Sequence, residues 1–130
     1  MSFAMQGYAA ASRRYAAIDA GSKIEGANPH QLVKILFDEL LLAMDATATA
    51  MRTGDNGKAF QKQTRALTML HALETSLDFE LGGEIATNLA IVYREARRRL
   101  LAAAADKDAE KVLSARDIIK DIADAWAQIG

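Results

Sequence analysis

Apolar residues recur every third or fourth position through most of this 130-residue chain, and almost nowhere do they alternate. That is the spacing of helices with one face in a core. Gly, Asn and Asp divide the pattern into five segments. Residues 1 to about 27 are rich in small side chains and interrupted by Gly21, Ser22 and Gly26; they predict a short or frayed helix followed by a loop. Asn28-Pro29 opens a helix, because Asn is a favoured cap and Pro at the first helical position gives up no needed hydrogen bond. It should run to about Thr53 and stop at Gly54-Asp55-Asn56-Gly57. The next helix is predicted from about Lys58 to Ser76. Another begins at Gly83-Glu84 and ends near Ala105. After the polar turn Asp106 to Asp108, a last helix runs to about Gln128. Short connections make consecutive helices antiparallel neighbours.

Unrolled at 100° per residue, the last helix divides cleanly. Val112, Ala115, Ile118, Ile119, Ile122, Ala125, Trp126 and Ile129 fall on one half. Arg116, Asp117, Lys120, Asp121, Asp124 and Gln128 fall on the other. The Pro29 helix does not divide so. Lys34, Asp38, Asp45 and Arg52 form one narrow polar stripe, and the apolar arc covers roughly 260°. Leu32, Leu36, Leu40 and Ala43 suffice to face a bundle core. Val33, Phe37, Leu41, Met44, Ala48 and Met51 then lie beyond one edge, with Ile35 and Leu42 beyond the other. This surplus is either covered by neighbouring segments or left as a groove for a partner helix. The groove reading places the contact at Val33, Phe37, Leu41 and Met44.

Composition adds exclusions. Alanine occurs 27 times, proline once, and aromatic residues make up 6%. The fold class is therefore all-α: an antiparallel four-helix bundle preceded by a short N-terminal helix or cap. The chain is expected to be one domain, with residues 1–27 a mobile cap and 28–130 the bundle. There is no cysteine, so disulfides and thiolate sites are excluded. A net charge of −1 gives no general attraction to nucleic acid or anionic membrane. No apolar run approaches the ~20 residues of a membrane span.

Catalytic patterns are missing. Neither His30 nor His71 has the Glu three residues earlier that di-iron bundles use. Glu74 and Thr75 follow His71 where phosphotransfer helices place Lys and Gly. Asp38-Glu39 and Glu80/Glu84 read as solvated or capping groups, although Glu39 falls inside the apolar arc and must snorkel or pair. Gly82-Gly83 lacks the Lys and further glycines of a phosphate loop. Arg94, Arg97, Arg98 and Arg99 form the one basic cluster, expected to pair with acidic groups of the last helix. The sequence reading expects no enzyme, cofactor or metal.

The stretch Ser76-Leu-Asp-Phe-Glu-Leu-Gly-Gly-Glu-Ile-Ala-Thr-Asn-Leu89 resembles the most recognisable segment of the flagellar export chaperone FliS family. Other pieces agree in order. Asn28-Pro-His-Gln-Leu-Val-Lys-Ile-Leu-Phe-Asp38 resembles the family's Ser-Pro-x-Gln-Leu helix opening. Tyr93 with Arg98-Arg99-Leu100-Leu101 resembles its Leu-Tyr…Arg-Arg-Leu run, and Ile122-Ala-Asp-Ala-Trp126 its C-terminal end. Tyr15 stands where the family has an N-terminal Tyr. The resemblance implies a cytoplasmic, non-catalytic bundle that binds the disordered C-terminal segment of flagellin and prevents premature polymerisation. It further implies delivery to the export gate of the flagellar type III secretion apparatus. It also implies an N-terminal segment, anchored here by Tyr15 and Ile18, that covers part of the binding surface until flagellin displaces it. The expected state is a monomer or weak dimer, with no nucleic acid and no membrane insertion.

Overall fold

The computed structural model describes residues 26–129. They form four helices: α1 (Pro29–Thr53), α2 (Asn56–Thr75), α3 (Phe79–Asp106) and α4 (Ala109–Ile129). There is no strand among the described residues. The expected all-α bundle is what is found.

Local chemistry sets the boundaries. Asn28 stays extended, and its side chain accepts from the Gln31 backbone N–H at 2.8 Å. The Gln31 side chain returns the bond to the Asn28 N–H at 3.0 Å, completing a capping box. Gly54 ends α1 in the left-handed region. Asp55 caps α2 by accepting from the Lys58 N–H, so α2 begins two residues earlier than the sequence pattern suggests. Asp78 does the same for α3 through the Leu81 N–H. The chain leaves α3 through Lys107, the one non-glycine residue with positive φ among those described.

The Gly82-Gly83 break falls within α3. Gly83 has φ 52° and ψ −128°, a conformation open to glycine and strained for other residues. Gly82 is needed for a different reason: a Cβ there would lie 2.9 Å from the Ala86 Cβ. One short turn therefore precedes the kink, and the long continuous part of α3 follows it, close to the predicted start at Gly83-Glu84.

Pairs distant in sequence fix the directions. His30 meets Trp126, and Arg52 meets Glu110, so α1 and α4 run antiparallel. Gln63 reaches the Leu100 carbonyl, and Glu74 reaches Arg94, so α2 and α3 do too. Each helix has two neighbours, in the cyclic order α1, α2, α3, α4. The core lies inside this ring, built from Leu40, Met44, Leu70, Leu73, Tyr93, Leu100, Val112 and Ile119 among others.

The rotation of α1 differs from the sequence reading. Val33, Phe37 and Met44 are fully buried core residues, while Leu32 is only half-buried. The buried sector is turned by about 45° from the Leu32–Leu36–Leu40–Ala43 face. The cause is the ring arrangement: α1 is flanked by α2 and α4 and must bury a sector between them. The apolar surplus of α1 that reaches solvent lies on its other edge, at Leu42, which is 60% exposed. In α4 the predicted inner half holds for Val112, Ala115, Ile119 and Trp126, but Ala125 and Ile129 face outward near the helix end.

Candidate client-binding surface

The four residues singled out as a groove do not form one on the described surface. Val33, Phe37 and Met44 belong to the core, and Leu41 is partly buried and packs against it. Tyr15 and Ile18, the expected cap anchors, lie outside the described residues.

Exposed large apolar side chains are concentrated instead on α3. Phe79, Leu81 and Ile85 surround the Gly82-Gly83 kink, and Ile91 and Leu101 follow along the helix. Outside α3, the most exposed is Phe60 on α2, at 75%. This set lies outside the apolar stripes of α1 and α4. The signal was present: Ile91 and Leu101 lie off the sector set by Ala86, Ala90, Tyr93, Ala96 and Leu100.

The basic cluster is paired, though not with carboxylates of the last helix. Glu74 of α2 accepts from Arg94 Nε at 2.6 Å and from Arg97 Nη1 at 2.7 Å. Glu95, within α3, accepts from Arg98 twice, at 2.6 and 2.9 Å, and from Arg99 at 2.9 Å. Arg99 also donates to the Ser114 hydroxyl of α4 at 2.8 Å. The expected partners on α4 are turned outward, opposite the core side of that helix. Burial pushes the Glu74 carboxyl up, but the hydrogen bonds and charges of Arg94 and Arg97 outweigh it and hold the group below its ordinary value. The Arg98 and Arg99 hydrogen bonds bring Glu95 from its ordinary 4.5 to about 2. Four guanidiniums thus share two carboxylates, leaving this stretch of α3 positive.

Glu39 does pair, with Arg65 of α2 at 3.9 Å. His30 has a structural place. Its ring stacks on Trp126 with centroids 4.9 Å apart and planes 13° apart. Its Nε2 lies 2.7 Å from the Trp126 carbonyl, and the indole N–H donates to the His30 carbonyl at 3.1 Å. His71 is exposed on α2.

Among the described residues no three His, Asp or Glu side chains converge as metal ligands would, and no helix is long and apolar enough to cross a membrane. An open recess of about 420 Å³ along α4 is lined by Leu113, Ile118, Ser114, Arg99, Glu110, Asp117 and Asp121, and the Ser114 hydroxyl there accepts a hydrogen bond from Arg99.

A helical bundle with apolar side chains displayed along one helix offers area that another polypeptide can cover. The family described as "Flagellar protein FliS" matches residues 11–130. The chain belongs to the FliS family. It is 35% identical to the flagellar secretion chaperone FliS of Salmonella typhimurium over 118 residues, covering 90% of this chain and 87% of that one. The Escherichia coli FliS is 32% identical over the same shares. The Vibrio cholerae FliS is 27% identical, covering 88% and 85%. The FliS match spans all four helices, including the Gly82-Gly83 kink and the arginine row.

Proposed function

We propose that this protein is a cytoplasmic flagellar secretion chaperone. It binds the disordered C-terminal segment of flagellin, keeps it from polymerising early and assists its delivery to the type III export gate. It acts as a monomer or weak dimer, without catalysis or cofactor. The observation that carries this reading is the FliS family match over residues 11–130, with curated relatives named as secretion chaperones. The exposed apolar side chains of α3 support it physically, because a disordered client gains its ordering energy by burying apolar area.

Two finer elements belong to the same proposal. The row Val33, Phe37, Leu41 and Met44 serves the client only where the bundle parts, since most of it is core in this structure. Tyr15 and Ile18 hold a cap that competes with the client, lowering its apparent affinity by the uncovered fraction.

The test is calorimetric titration with a flagellin C-terminal peptide, alongside light scattering of polymerising flagellin. Saturable binding and delayed polymerisation are expected. Tyr15→Ala with Ile18→Ser in the full chain should tighten peptide binding by roughly five- to thirtyfold. Equal binding to peptides from any part of flagellin would sink the chaperone assignment. Weaker binding by the cap variant would mean that these residues build the site instead of covering it.

A further inference from the structure

Asparagine is thermolabile, and the chain holds three: Asn28, Asn56 and Asn88. What decides the lifetime of each is the backbone nitrogen of the next residue, which can attack the side-chain carbonyl. Asn28 precedes Pro29, whose nitrogen carries no hydrogen and cannot close the ring. Asn88 lies well inside α3, where the Leu89 nitrogen is tied into the helix ladder and the leucine side chain crowds the approach. Asn56 precedes Gly57, and both are exposed. They are the first two residues of α2, where a helix N–H has no carbonyl of its own helix to bond. Glycine puts no side chain in the path of its nitrogen. A Cβ built on Gly57 would meet only Asp55 Oδ1, at 3.9 Å, so the space around it is open.

We propose that Asn56 is a deamidation site and that the fold directs the reaction to it. The Gly57 nitrogen bonds to Asn56 Cγ and gives up its proton, and the side-chain amide nitrogen leaves as ammonia. The product is a cyclic succinimide, which water opens at either carbonyl. Attack at the side-chain carbonyl gives aspartate. Attack at the main-chain carbonyl gives isoaspartate, with the backbone rerouted through Cβ and Cγ. Water is the only co-reactant.

The two products act on α2 in opposite directions. Its first turn carries no acidic residue. A carboxylate at position 56 therefore sits alone at the positive end of the helix dipole and favours the helix. Isoaspartate lengthens the main chain between groups that cap the helix across it. Asp55 Oδ1 accepts from the Lys58 N–H at 3.0 Å, and the Asp55 carbonyl accepts from the Ala59 N–H at 2.9 Å. Both bonds span residue 56, so the added backbone atom puts both out of register. Only Gly54 and Asp55 join α1 to α2, which leaves little slack to absorb it. The first turn of α2 frays, and with it the buried Ala59. Attack also requires Asn56 to leave its helical backbone conformation, so the Asp55 cap sets the pace.

Full-length protein is aged at mildly alkaline pH, below its melting temperature, and digested with trypsin beside an unaged control. Cleavage after Lys and Arg puts each asparagine on a separate peptide. Mass spectrometry should show the peptide 53–58 converting from amide to acid while the other two stay unchanged. An isoaspartyl methyltransferase, used as the probe, should label that peptide. Gly57→Ala has room at this position and should slow conversion by at least about tenfold, a barrier increase of about 1.4 kcal/mol. Asp55→Ala removes the cap and should speed it. Asn56→Asp should melt no lower than wild type, and the isoaspartyl fraction, separated by anion exchange, should melt below both. Asn56 surviving intact in the aged chain overturns the proposal. So does Asn88 converting as fast, which would assign the reaction to the unfolded chain. An isoaspartyl fraction that melts with wild type overturns the fraying of α2.

Discussion

Tyr93 sits in the core, fully buried, and its hydroxyl has no hydrogen-bond partner among the described residues. A buried hydroxyl left unpaired costs about 1–3 kcal/mol. Tyr93→Phe keeps the ring and removes that cost, so thermal or urea unfolding should show a gain of about 1 kcal/mol; a loss would mean that the hydroxyl is paired in solution. Glu95 gives a second residue-scale expectation, with its sign set by its lowered pKa. The folded carboxyl titrates at about 2 and the free one near 4.5, so on acidification the unfolded chain takes up the proton first. The contribution is complete above about pH 4.5 and is lost as the pH falls toward 2. At low salt, Glu95→Gln should flatten the fall of the melting temperature across this window. Parallel curves for wild type and variant would show that the two arginines do not stabilise the fold through this group.

At the scale of the element, the helices were legible because their punctuation is local. Asn28-Pro29, Gly54-Asp55 and Asp106 to Asp108 act through their own backbone and caps, and the structure moves their boundaries by only a residue or two. The start of α3 was less legible, because Asp78 caps a short turn ahead of the kink that the two glycines punctuate. Gly83 has open space where a side chain would go, so its requirement is purely conformational. Gly83→Ala should therefore destabilise by about 1–3 kcal/mol through backbone strain alone. A variant melting with wild type would show that the kink relaxes into continuous helix. The direction in which α1 faces was not legible at this scale. Its periodicity gives the width of the apolar arc, roughly 260°, but a helix does not record which neighbours will cover it. Burial of Val33, Phe37 and Met44 became visible only with α2 and α4 in place.

For the whole molecule, the four-helix architecture and the family were legible from spacing and from the Ser76–Leu89 stretch, while the candidate surface was not. Phe60 and Leu101 are unremarkable apolar letters until the packing of α2 and α3 leaves both exposed. Closure of the ring depends on another long-range meeting, that of His30 at the start of α1 with Trp126 near the end of α4. Trp126 is the chain's single tryptophan, so the protein carries an intrinsic optical probe at the place where the first and last helices are fastened. Its emission reads the separation of those two helix ends without any added label. Helix ends open more readily than helix centres. In a urea titration the indole signal should therefore change before helical circular dichroism is lost; coincident curves would show that the fastening is as durable as the core. The same emission, followed during loading with an unlabelled tryptophan-free client peptide, would tell whether the ring of helices stays shut or is sprung at that end.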